Sequence, residues 1–175
     1  MKNIKTMKKI VFLTVIFAAC TLLQANAQKL FPSQADNGKW GYVDEDDEWV
    51  IPPRFDDALY ECDGGMYGVK LNGKWGMAGY HGEILVETKY DQVQTCLDYT
   101  KYVYPYVLGA VKKGNKWAFV TIQGVEVTPF KYDEVRIHAG QYTFKIRQGN
   151  TEIRGHLGRD VEELIDEERQ LPARK

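Results

Sequence analysis

Gly38-Lys39-Trp40-Gly41-Tyr42-Val43-Asp44 is the stretch on which the reading turns, because it returns twice further along the chain. It reappears as Gly73-Lys74-Trp75-Gly76-Met77 and as Asn115-Lys116-Trp117-Ala118-Phe119. Each tryptophan is followed by an aromatic-Asp pair: Phe55-Asp56, Tyr90-Asp91 and Tyr132-Asp133. The Trp-to-Asp separation is 16 in every copy, whereas the Trp-to-Trp steps are 35 and 42. A fixed internal spacing with a variable step is the mark of a tandem repeat carrying an insertion between copies two and three.

Working outward from the tryptophans, the copies stay in step. A turn rich in Gly or Asp follows (Asp44 to Asp47, Gly79 to Gly82, Gln123-Gly124), and then a short apolar run (Trp49-Val50-Ile51, Ile84-Leu85-Val86, Val125 to Val127). Pro52 and Pro129 come next, with Glu87 in that place in copy two, and proline is expected to end the strand because it has no N–H to donate. Ahead of the tryptophan lies another short strand, Tyr67 to Leu71 in copy two and Gly109 to Lys112 in copy three. Strands of about five residues joined by Gly, Asp and Asn turns predict antiparallel hairpins. The 13% aromatic content points the same way.

These units resemble WG repeats, a β-rich family common in exported bacterial proteins. Its signature is Gly-Lys-Trp-Gly-aromatic, followed by Val-Ile-Pro and an aromatic-Asp. Copy one matches best, through Gly38 to Asp44 and Val50-Ile51-Pro52; copy two departs at Met77 and Glu87, and copy three at Asn115 and Ala118. The resemblance covers roughly residues 30 to 137. It implies a fold and an exported setting, and no reaction.

The expected fold is therefore all-β: three-stranded antiparallel repeats at about 30–60, 61–95 and 107–137, stacked like a solenoid or, alternatively, as part of a propeller. Together they make a repeat region over 28–140. A three-stranded unit cannot bury its apolar face alone, so each tryptophan is expected to pack against that of its neighbour. The recurrent acids Asp56, Asp91 and Asp133 are read as structural, accepting backbone N–H groups at the corners between repeats. The sharper alternative is an acidic edge for calcium or sugar. Residues 141–175 read as a degenerate fourth copy and cap. Gly149 lies 35 after Gly114, which puts Glu152 in the tryptophan place, and Asp160-Val161-Glu162-Glu163 looks like the capped start of a short C-terminal helix.

The first 27 residues read as a secretory signal peptide. Lys2, Lys5, Lys8 and Lys9 precede an apolar run from Ile10 to Leu23, and Ala25-Asn26-Ala27 offers small residues for cleavage. The run is shorter than the roughly 20 residues needed to span a bilayer. A lipoprotein anchored at Cys20 is the minor alternative. Loss of the four lysines would move the net charge from −1 to −5, which argues against nucleic acid as a partner.

Reactive constellations are hard to assemble from what remains. Ser33 is the one serine of the chain and lacks the flanking glycines of a nucleophile elbow. His81, His138 and His156 form no short ligand pair, so neither a metal nor another cofactor is expected. Cys62 and Cys96 sit in similar places of adjacent repeats, which suits a disulfide between neighbours better than catalysis; two reduced thiols are the alternative. The insertion between copies two and three holds Tyr99, Tyr102, Tyr104 and Tyr106. The last three alternate and would share one face of an extended chain, a candidate surface for another protein or an envelope glycan. The resulting expectation is a non-catalytic binding or scaffold module of the periplasm or cell surface. A weak glycan or peptide hydrolase and an inhibitor or immunity-type protein are the alternatives.

Overall fold

The computed structural model describes residues 29–60, 66–95, 108–138 and 140–172. They form fourteen strands in four antiparallel meanders. Sheet 1 holds β1 (Phe31–Gln34), β2 (Trp40–Val43) and β3 (Trp49–Phe55). Sheet 2 holds β4 (Asp57–Ala58), β5 (Tyr67–Leu71), β6 (Lys74–Ala78) and β7 (Ile84–Tyr90). Sheet 3 runs from β8 (Gln92–Gln94) through β9 (Leu108–Lys113) to β10 (Lys116–Thr121). Sheet 4 comprises β11 (Glu134–His138), β12 (Gln141–Gln148), β13 (Thr151–Leu157) and β14 (Glu163–Gln170).

The full unit thus has four strands, one more than the expected three. The added strand follows directly on the aromatic-Asp pair: β4 after Asp56, β8 after Asp91 and β11 after Asp133. The aromatic ends one sheet, and the Asp carries the chain into the next.

Three core clusters each bridge two consecutive sheets. Leu30, Tyr42, Ile51 and Phe55 meet Tyr67, Val69 and Ala78 across sheets 1 and 2. Met66, Met77, Val86 and Tyr90 meet Val93, Val111, Ala118 and Val120 across sheets 2 and 3. Ala110, Trp117, Phe119 and Tyr132 meet Val135, Ile137, Tyr142, Phe144, Ile146 and Leu157 across sheets 3 and 4. Strand alternation explains the division. On β6, Trp75 and Met77 point forward to sheet 3 while Ala78 points back to sheet 1. On β10, Trp117 and Phe119 point forward while Ala118 and Val120 point back.

The three indoles therefore sit in three different clusters, contrary to the expectation that they pack on one another. Each lies across from the aromatic of its own unit: Trp40 opposite Phe55, Trp75 opposite Tyr90, Trp117 opposite Tyr132. The residue two after the Trp is buried more deeply, since Tyr42, Met77 and Phe119 have no exposed surface while Trp40 and Trp75 are only half-buried.

The glycine after the tryptophan has a steric role. A Cβ on Gly41 would lie 2.3 Å from the Ile51 carbonyl oxygen, and one on Gly76 would lie 2.4 Å from that of Val86. There the neighbouring strand bulges, because Trp40 pairs with Phe55 but Tyr42 pairs with Ile51. The bulge lets β3 run on through Pro52 and Pro53, so proline does not end this strand as expected; it sits where the ladder has slipped. Copy three carries Ala118 instead. Its outer segment keeps only the bridges Trp117–Tyr132 and Val120–Glu126, and the Thr128 hydroxyl accepts the Phe119 N–H at 2.8 Å.

The C-terminal helix is overturned. Residues 163–170 are β14, paired with β13 along its length. Every second residue of a strand shares a face, and so do residues three and four apart on a helix, so Glu162, Glu163 and the short apolar stripe fitted both periods.

Candidate functional site

The candidate surface begins with the recurrent acids. Asp56, Asp91 and Asp133 each bind the lysine that precedes the tryptophan of their own unit: Lys39 at 2.8 Å, Lys74 at 2.6 Å and Lys116 at 2.8 Å. Each also reaches the next unit. The second oxygen of Asp91 accepts the Gly114 N–H at 2.7 Å, and that of Asp133 accepts the Arg147 N–H at 2.8 Å. For Asp56, the Lys39 ammonium, helped by the N–H groups of Asn72 and Gly73, holds the carboxyl below its ordinary range. Lys74 and then Gly114 do the same for Asp91. Burial would raise Asp133, but Lys116 and the Arg147 N–H outweigh it and the net shift is downward.

A cation precedes each aromatic-Asp pair, a feature legible in the sequence but easily passed over: Arg54, Lys89 and Lys131. All three lie over the ring beside them, at 5.0, 5.5 and 5.5 Å from the centroids of Phe55, Tyr90 and Tyr132. Arg54 also donates to the Gly82 carbonyl of the next unit's turn.

The two tyrosines of this position make a further tie between sheets. Tyr90 donates to Glu126 at 2.8 Å, and Tyr132 donates to Glu163. Burial first, and then the neighbouring carboxylate, pushes both phenols above their usual value. Lys113 braces Glu126 at 3.1 Å and Lys131 braces Glu163 at 2.6 Å. Glu126 and Glu163 occupy the same place in their units, nine residues past the tryptophan position. In copy two that place is Ile84, and the aromatic of the preceding unit is Phe55, which has no hydroxyl to offer. The match between hydroxyl and carboxylate thus varies in concert along the array.

Sheet 4 corrects the assignment of Glu152. The residue after Asp133 pairs with Lys145, and Lys145 pairs with Arg154. In sheet 3 the corresponding row is Gln92, Lys112 and Trp117. Arg154 therefore takes the tryptophan place. Gly155 takes that of Gly41 and Gly76, and its Cβ would meet the Leu164 carbonyl at 2.3 Å. The β12–β13 hairpin extends two residues further on each strand, which carries Glu152 beyond the repeat. Glu152 is 3% exposed and held by Arg154 at 2.8 Å, Arg169 at 3.3 Å and Arg147 at 3.4 Å. Arg154 foremost holds its carboxyl below the ordinary range.

The forward face of sheet 4 is consequently charged. Where sheet 3 presents Trp117 and Phe119, sheet 4 presents Arg154 and His156, and His156 contacts Asp166 at 2.8 Å. A depression of about 360 Å³ on this face is lined by Glu134, Arg136, Lys145, Arg154, Asp166 and Glu167, among others. Leu164, paired with His156 and 43% exposed, is the apolar residue left among these charges.

Tyr99, Tyr102, Tyr104 and Tyr106, Cys62 and Cys96, and the leader segment 1–27 with Cys20 lie outside the described residues. Among the described residues, no group of three His, Cys, Asp or Glu side chains is placed to hold a metal, and no helix is long and apolar enough to cross a membrane.

No curated protein and no solved structure matches the chain. Residues 40–75, which run from one repeat tryptophan to the next, match the family model of the WG containing repeat. Over that span the chain is similar to a WG containing repeat.

Proposed function

We propose that this chain is an exported, non-catalytic binding or scaffold protein of the bacterial envelope, working in the periplasm or at the cell surface. One observation carries the reading: the residues that recur from unit to unit are spent on joining the units. Asp56, Asp91 and Asp133 each hold a lysine of their own unit while reaching the next hairpin. Tyr90 and Tyr132 each hold a glutamate one sheet further on. The displaced carboxylates are displaced downward by cations and N–H or O–H donors. A general acid working near neutral pH needs the opposite displacement.

The stack is read as an open array rather than a closed ring. Its two end faces are unlike, charged on sheet 4 and apolar on sheet 1, and so are poorly suited to packing on each other. The tyrosine-rich insertion between β8 and β9, with Tyr99, Tyr102, Tyr104 and Tyr106, is the proposed contact for a protein or glycan partner. Capture from envelope extract with the wild-type chain and with a Tyr102→Ala, Tyr104→Ala, Tyr106→Ala variant tests it. Loss of the captured partner in the variant is expected, and unchanged recovery removes the assignment. Intact mass of the exported protein tests cleavage after Ala27 and a Cys62–Cys96 bond together.

A further inference from the structure

We infer that the free face of sheet 1 docks a basic polypeptide surface through an aromatic centre and an acidic rim, an inference that rests on reading the chain as a binding module. The backward face of every later sheet is covered by the sheet before it: Tyr67, Val69 and Ala78 in sheet 2, and Val93, Val111 and Val120 in sheet 3. The same register positions in sheet 1 are Phe31, Ser33, Val43 and Trp49, set by the pairs Phe31–Val43, Ser33–Gly41 and Val43–Trp49. Among the described residues no sheet precedes them. Phe31 and Ser33 are half-buried where their counterparts Tyr67 and Val69 are sealed, and Trp49 stands 40% exposed beside them, as its counterpart Ile84 does at 44% in sheet 2.

Strand addition does not answer this surface. In sheet 2 the strand β5 accepts its inner neighbour at Gly68 and Lys70, where Leu59 N–H and Asp56 N–H bond. Pro32 holds the place of Gly68 on β1; it keeps the accepting carbonyl but has no N–H to return to an incoming strand, which disfavours pairing at this edge. Face packing is left as the mode of contact.

Charge selects the occupant. The β2–β3 turn beside Val43 and Trp49 is Asp44-Glu45-Asp46-Asp47-Glu48, five acids in succession, four of them fully on the surface. Asp44 is occupied within the turn, accepting the N–H groups of Asp46 and Glu48 at 3.0 and 2.9 Å. The other four face solvent. Two copies packed through this face would bring two such turns towards each other, and an anionic membrane would be repelled. A partner with an apolar patch inside a lysine- or arginine-rich border complements both features.

Fluorescence anisotropy of the full chain with two labelled peptides of equal length tests this, one an amphipathic Lys/Leu helix and the other its Glu/Leu counterpart. Binding of the cationic peptide alone is expected. A Phe31→Ala, Trp49→Ala variant should weaken it at least tenfold. A Glu45→Gln, Asp46→Asn, Asp47→Asn variant, altered only on the surface, should weaken it several-fold and flatten its salt dependence. Equal binding of both peptides, or affinities unmoved in both variants, overturns the proposal and leaves the tyrosine-insertion reading standing. A dimer in sedimentation velocity that disappears in Trp49→Ala overturns it in favour of a second copy. A photo-crosslinker at position 49 that captures residues 1–28 overturns it in favour of the chain's own leader.

Discussion

Sheets 3 and 4 put the same register positions to opposite uses. Trp117 and Phe119 on β10 are buried against the next sheet, whereas Arg154 and His156 on β13 face outward among Asp166 and Glu167. The backbone plan is shared, including the meander and the place of Gly155. The difference teaches that the meander tolerates either chemistry, and that the presence of a following sheet decides which is stable. An indole without a covering sheet would expose apolar surface; an arginine beneath one would be stripped of water without a partner.

The sharpest way to break the comparison is truncation at the position two past the tryptophan. Phe119→Ala should cost about 3–5 kcal/mol in chemical unfolding, because Phe119 is fully buried between sheets. His156→Ala at the matching place should change stability by under about 0.5 kcal/mol. Comparable losses would show that sheet 4 is part of the core rather than its cap.

A second contrast concerns the residue after the tryptophan. Gly76→Ala should cost about 1–3 kcal/mol, since its Cβ would meet the Val86 carbonyl at 2.4 Å. Ala118→Gly in the third copy should cost about 1–2 kcal/mol for a different reason, the loss of a buried methyl and the added freedom of the unfolded chain. The same unfolding assay reads both.

The tyrosine ties allow a finer test. Tyr90→Phe removes a donor to Glu126 and should cost about 1 kcal/mol. Installing the pair in sheets 1 and 2, through Phe55→Tyr with Ile84→Glu, should be better tolerated than the sum of the two single changes. A double-mutant cycle with no coupling would show that the concerted variation along the array is incidental.

The gentlest perturbation is pH. Asp56, Asp91, Asp133, Glu126, Glu152 and Glu163 are all held below the ordinary values of 3.8 for Asp and 4.5 for Glu. A carboxylate with a lowered folded pKa stabilises fully above its unfolded pKa, and the contribution fades as pH falls through the folded value. The urea midpoint should be flat from pH 7 to about 5 and fall below about 4. A Lys39→Met, Lys74→Met variant should lose part of that acid dependence.

Much of the array was legible in the letters. The constant Trp-to-Asp spacing gave three copies, and the alternation around each tryptophan gave antiparallel strands, because both signals lie within a few residues of each other. The fourth copy was misphased for a local reason: its hairpin is longer on both strands, so counting from Gly149 landed on Glu152 rather than Arg154. Its last strand read as a helix because Glu162-Glu163 and a brief apolar stripe suit a capped helix as readily as an edge strand.

By itself, then, the sequence determined the repeat, the strand period and the demand that each unit find a neighbour, since these follow from spacing and side-chain chemistry along the chain. Tertiary structure alone decided which sheet each indole serves, where Arg154 stands and which face is left uncovered. Those outcomes depend on pairing between segments 20 to 40 residues apart, and a two-residue change in hairpin length re-addresses every side chain beyond it without altering the local pattern.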